Sequence, residues 1–121
     1  MFTSRFQKGP PPTLQILFRG TLVAELSKKK KQNGQPVYTF KYLPAFKQEK
    51  LAALPGLSFS DSPLESSELW PYFAERIPDA RRPEIQVLMK TLKLSEYDDI
   101  RLLAALGAHS ITDPFEIRLA A

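Results

Sequence analysis

Cysteine is absent from this chain, and histidine occurs once. Without cysteine there is no disulfide framework, no thiolate metal site and no thiol nucleophile. A reducing, cytoplasmic setting is the expectation. No metal-ligating constellation surrounds His109, and a lone histidine beside a helix end is an ordinary surface or capping residue. No apolar run approaches the length that crosses a bilayer, and no signal-peptide pattern opens the chain. Walker-type loops, a G-x-G-x-x-G turn, a nucleophile elbow and kinase catalytic motifs are all missing. Asp98 and Asp99 are adjacent, but neighbours on a helix point in different directions and make no catalytic dyad. Glu65 and Glu68 have no base or nucleophile beside them. The expectation is a protein that is not an enzyme and holds no cofactor or metal.

Glycine is scarce, at 5 residues, while proline reaches 11. That balance predicts short elements joined by rigid corners. The length of 121 residues suits one domain with one core. Charge is divided unevenly along it. Residues 1–50 carry ten Lys/Arg against Glu25 and Glu49, whereas residues 51–121 carry seven against eleven Asp/Glu. Such polarity steers an acidic partner to one face, or simply solvates two surfaces.

Residues 1–13, ending in Gly9 and three prolines, read as a flexible arm, and residues 14–121 as a single domain. Leu14, Ile16 and Phe18 alternate on one face of a first strand. Gly20 turns the chain into an antiparallel second strand over residues 21–26. Lys28, Lys29, Lys30 and Lys31 then precede Asn33-Gly34, a hairpin signal that sets the lysines on an exposed loop. A basic nucleic-acid-binding module built from these lysines with Arg5 and Lys8 is one reading. Against it, no Arg/aromatic interleaving accompanies them, as base-stacking surfaces usually show. Tyr38, Phe40 and Tyr42 share one face of a third strand. A short helix is expected within residues 44–54, a brief strand over residues 57–60, and a turn at Asp61-Ser62-Pro63. Pro83 opens a helix whose face is Ile85, Leu88, Met89 and Leu92. Ser95 to Asp98 resembles a capping box for a helix through Ile100, Leu103 and Ala104, ended by Gly107. Residues 114–119 return to the sheet. Strands first and helices after give an α+β fold: a small antiparallel sheet packed with a C-terminal group of short helices.

The segment from Ser66 to Pro78 holds the only tryptophan, Trp70. Ser66 or Ser67 caps a helix there, Pro71 fits its first turn, and Pro78 stops it. Leu69, Phe73 and Ile77 share its inner face. Trp70 lies off that face, as the rim of the core or as an anchor for something outside.

The order of these pieces resembles the N-terminal subdomain of HipA-type serine/threonine kinase toxins. The pieces are the Gly20 hairpin, the Tyr38-Thr39-Phe40-Lys41-Tyr42 strand, Leu57-Ser58-Phe59-Ser60, the aromatic segment closed by Ile77-Pro78, and the helix from Ile100 to Gly107. Since the chain ends without a kinase body, it resembles most the free-standing members, the HipS antitoxins of three-component HipBST systems. That resemblance implies an antitoxin that binds and silences a HipT-like kinase toxin, with Trp70 inserted near the kinase active site. Pro71, Tyr72, Phe73 and Arg76 are the implied neighbouring contacts, with Ser60, Asp61 and Glu65 as a polar rim. A HipB-like DNA-binding protein is the further implied partner in a ternary complex. DNA contact would come from it, and neither direct nucleic-acid binding nor membrane contact is expected of this chain.

Overall fold

The computed structural model describes residues 13–106 and 114–120. Five strands form one antiparallel sheet in the order β4-β3-β2-β1-β5. They are β1 (Leu14–Phe18), β2 (Thr21–Lys30), β3 (Pro36–Tyr42), β4 (Leu64–Ser66) and β5 (Phe115–Leu119). Among the described residues four helices accompany them: α1 (Pro44–Gln48), α2 (Pro71–Ala74), α3 (Pro83–Thr91) and α4 (Asp99–Leu106). The α+β expectation holds.

The β1–β2 hairpin turns through Arg19 and Gly20, both at positive φ (50° and 84°). This is the two-residue turn whose twist matches that of the strands. The β2–β3 connection is one residue longer than Asn33-Gly34 alone suggests. Lys31 donates its N–H to Gln35 and accepts one from Gly34, closing a three-residue loop with Gly34 in the left-handed region.

Strand register decides which side chains face the core. Leu14, Ile16, Leu26, Phe40 and Ile117 are fully buried on one face. The register shifts between Ile16 and Leu17, opposite Val23. The extra residue lets the consecutive Val23 and Ala24 both turn inward and be buried. The other face carries mostly polar residues, among them Gln15, Glu25, Ser27, Thr39, Glu65, Glu116 and Arg118. On the core face, α1 lies against β2, α4 against β5, and α2 against α4. Phe40 is the aromatic hub. Its ring lies 4.7 Å from Tyr42, 5.8 Å from Phe73 and 6.3 Å from Trp70. A hydroxyl staples the long connection after α1: Tyr42 accepts the Leu54 N–H at 2.9 Å and donates to the Leu57 carbonyl.

Several local expectations are corrected. The lysine run is not a loop, because Lys28, Lys29 and Lys30 extend β2 opposite Tyr38, Val37 and Pro36. The fourth sheet segment forms at Leu64–Ser66 rather than at residues 57–60, where Leu57 is buried but not in a strand. The Trp70 helix is shorter than its pattern, and neither Ser66 nor Ser67 caps it. Ser66 ends β4 and its Oγ accepts the Glu68 N–H at 3.1 Å. Helix α4 is capped by Asp98, whose side chain accepts the Arg101 N–H, and not by Ser95. Thr13, assigned to the arm, is held at the sheet by Ala120, which donates its N–H to the Thr13 carbonyl at 2.9 Å. The rest of the arm, with Arg5 and Lys8, lies outside the described residues, as do Gly107 and His109.

Candidate functional site

Trp70 is itself the N-cap of α2, with extended backbone (φ −61°, ψ 144°) and Pro71 at the first helical position. A residue before proline is driven to this conformation, so the Leu69-Trp70-Pro71 sequence sets the corner locally. The Trp70 carbonyl accepts the N–H groups of Phe73 and Ala74, both at 2.9 Å. After Ala74 the chain tightens, with Arg76 bonded to the Phe73 carbonyl and Ile77 to that of Ala74. The indole packs edge-on against Phe40 with 67° between the planes, and it is half-buried. One side of the ring belongs to the core rim, and the remainder reaches solvent.

The neighbours divide by environment. Pro71 is exposed. Tyr72 is half-buried, stands at 86° to the Phe73 ring, and accepts a hydrogen bond from Arg76 Nη2 at 3.1 Å. The Arg76 guanidinium also lies 5.2 Å from the Tyr72 ring centre. Phe73 is fully buried against Phe40 and holds α2 onto the core. The proposed polar rim is dispersed. Glu65 pairs in register with Thr39, on the face of the sheet opposite to Phe40 and the indole that packs on it. Asp61 pairs with Lys47 of α1 at 3.3 Å, both well exposed. Ser60 closes its own turn by accepting the Ser62 N–H at 3.1 Å. The local run Trp70, Pro71, Tyr72 and Arg76 stays together, while Glu65 does not join it.

The lysine run is split by the same alternation. Lys28 faces the core side, and its Nζ pairs with Asp99 at 3.1 Å. Tyr38, opposite Lys28 in β3, donates its hydroxyl to the other oxygen of Asp99. Lys29 points to the other face, and Lys30 and Lys31 are exposed at the hairpin end. One of the four charges is thereby neutralised and another turned to the opposite face, so among the described residues the four lysines do not form one patch on one face. The adjacent carboxylates diverge as expected: Asp99 serves Lys28 and Tyr38, while Asp98 caps α4 and pairs with Arg101 at 2.7 Å. The Lys28–Tyr38–Asp99 cluster was not legible in the sequence, although alternation counted onward from Leu26 would have turned Lys28 inward.

Burial, reinforced by the hydrogen bond to Asp99 and by its charge, pushes the Tyr38 phenol well above its ordinary value of 10.0. Well below pH 10 the phenol is neutral in both folded and unfolded chains, and its contribution to stability is complete. Above that, the unfolded chain ionises while the folded one resists, so stability falls as pH rises. Tyr38→Phe should cost about 1 kcal/mol at neutral pH through the lost hydrogen bond. It should also flatten the loss of stability between pH 9 and 11 in urea unfolding. An unchanged alkaline slope would contradict this. Burial also raises Tyr42, so some slope remains in the variant.

Among the described residues no His/Cys/Asp/Glu group fits a metal ion, and no helix is long and apolar enough to cross a membrane. Comparison with curated proteins and with solved structures gives no match. A family model described as HipA N-terminal domain matches residues 14–111. The match covers the β1–β2 hairpin, the aromatic strand β3, the Trp70 corner and α4. It ties the chain to HipA-related toxin–antitoxin proteins. The chain belongs to the HipA N-terminal domain family.

Proposed function

We propose that this domain is an antitoxin of the HipS kind, a non-enzymatic inhibitor that binds a HipT-like serine/threonine kinase toxin in the cytoplasm. The observation that carries the reading is the half-buried Trp70 at a corner fixed by Pro71 and backed by Phe40. A large ring held on a rigid corner loses little freedom on docking, which is what an interface hot spot requires. Tyr72 and Arg76, joined to each other beside it, extend the contact with an aromatic and a cationic group, both favoured at interface centres. The indole would enter the active-site region of the kinase and obstruct it. A HipB-like DNA-binding protein would complete a ternary complex and supply the DNA contact.

The test is to titrate the purified chain into a HipT-like kinase and follow autophosphorylation. Saturable inhibition with a one-to-one complex is expected. Full kinase activity at a large excess of the chain, with no co-elution, would end the proposal.

A further inference from the structure

The two edges of the sheet differ. Strand β4, at one edge, has only three residues and offers little to pair with. Strand β5, at the other, has five, runs in unbroken register with β1, and contains no proline, lysine or bulge. Natural proteins commonly guard sheet edges with such features. Among the described residues no strand lies beyond β5.

The direction of its backbone groups follows from the register. Ala120 donates its N–H to Thr13, which makes that a hydrogen-bonded pair. Pairs alternate along an antiparallel ladder, so Gln15/Arg118 and Leu17/Glu116 are hydrogen-bonded too. Ile117, opposite Ile16, therefore turns its N–H and C=O away from β1, to the side where no described strand lies. Its side chain is buried in the core, so the strand is firmly held behind those groups. Glu116 and Arg118 flank it on the polar face, and Arg118 is exposed and donates from Nε to Gln15 Oε1 at 3.3 Å.

This arrangement is self-complementary. A second copy laid antiparallel on β5, with the two-fold axis at Ile117, lets the two Ile117 residues exchange N–H···O=C bonds. The same register sets Glu116 of each copy opposite Arg118 of the other, in a non-hydrogen-bonded pair where side chains approach most closely. A strand with two like charges at these positions would repel its own copy. Opposite charges placed symmetrically about the axis attract it twice. We infer that β5 is a self-association edge, through which two copies of this chain join their sheets into one. The interface is small, so the dimer is weak and depends on concentration. It uses the sheet edge rather than the Trp70 corner and stands apart from the kinase-binding reading.

Sedimentation equilibrium over a range of concentrations tests this on four samples whose fold is checked by circular dichroism. The wild-type chain should pass from monomer to dimer. Glu116→Arg and Arg118→Glu each put like charges opposite one another in a homodimer and should weaken it roughly tenfold or more. An equimolar mixture of the two variants restores both opposite-charge pairs and should dimerise as the wild type does. A merely structural role for Arg118 would not produce that rescue. A wild-type chain that stays monomeric up to its solubility limit, single variants that dimerise undiminished, or a mixture no better than its components would each overturn the inference. So would a shift in kinase affinity that the mixture does not repair, which would assign the edge to another partner.

Discussion

Phe40→Ala should lower the unfolding free energy by about 3–5 kcal/mol, the cost of removing a fully buried phenylalanine and leaving a cavity. For a domain of this size that amounts to a fall in Tm of roughly 10–25 °C. Native stability is only about 5–15 kcal/mol, so the loss takes a large part of it. Phe40 earns this weight from its position. It sits in the middle of β3, between β2 and β4, and touches Tyr42, Phe73 and Trp70. Its removal therefore strips the support from beneath α2 as well as opening the core. Phe40→Leu keeps most of the volume and should recover more than half of the loss. Thermal unfolding of both variants checks this. A change in Phe40→Ala below about 1 kcal/mol would mean that the aromatic cluster is not the centre of the core.

Trp70→Ala should act on binding far more than on folding. The half-buried indole contributes part of its area to the core rim, so its loss should cost the free domain about 1–2 kcal/mol. In a complex where the rest of the ring is enclosed, truncation should cost about 2–4 kcal/mol of binding, a weakening of roughly 30- to 1,000-fold. Circular dichroism and calorimetric titration against a HipT-like kinase separate the two quantities. Trp70→Phe keeps the edge-on contact with Phe40 but shortens the reach outward. It should fold like the wild type and still bind at least tenfold more weakly. Binding by Trp70→Ala within twofold of wild type would remove the indole from the interface. Collapse of the fold in Trp70→Phe would show that the ring is needed chiefly inside.

Much of the architecture is written in short-range pattern. Gly20 sets the first hairpin because a two-residue turn requires positive φ. Alternation sends Leu14, Ile16 and Phe40 inward. Pro83 starts α3 at the first position a helix gives to proline. The Trp70 corner, too, follows from a proline acting on its immediate neighbour. Expectations failed where partners lie far apart in sequence. Ser66 looks like a cap, yet a strand three residues long claims it, because β3 supplies a ladder that no local rule foresees. Lys28 looks like part of a solvated run. Extension of β2 turns it inward, where Asp99, 71 residues on, neutralises it. Glu65 stands five residues before Trp70 and still ends on the opposite face of the sheet, since one step along a strand reverses a side chain.

By itself the sequence determined the fold class, the main turns and strands, the corner that carries Trp70, and the absence of the motifs that would mark an enzyme. Those features depend on backbone sterics and on periodicity within a few residues. Only the tertiary structure decided how the strands are ordered, which lysine is neutralised, how much of the indole the core takes, and which of the described strands lie at the edges of the sheet. Each of these depends on which distant segment arrives as a neighbour, and that is fixed by burial of the whole core rather than by any stretch of chain alone.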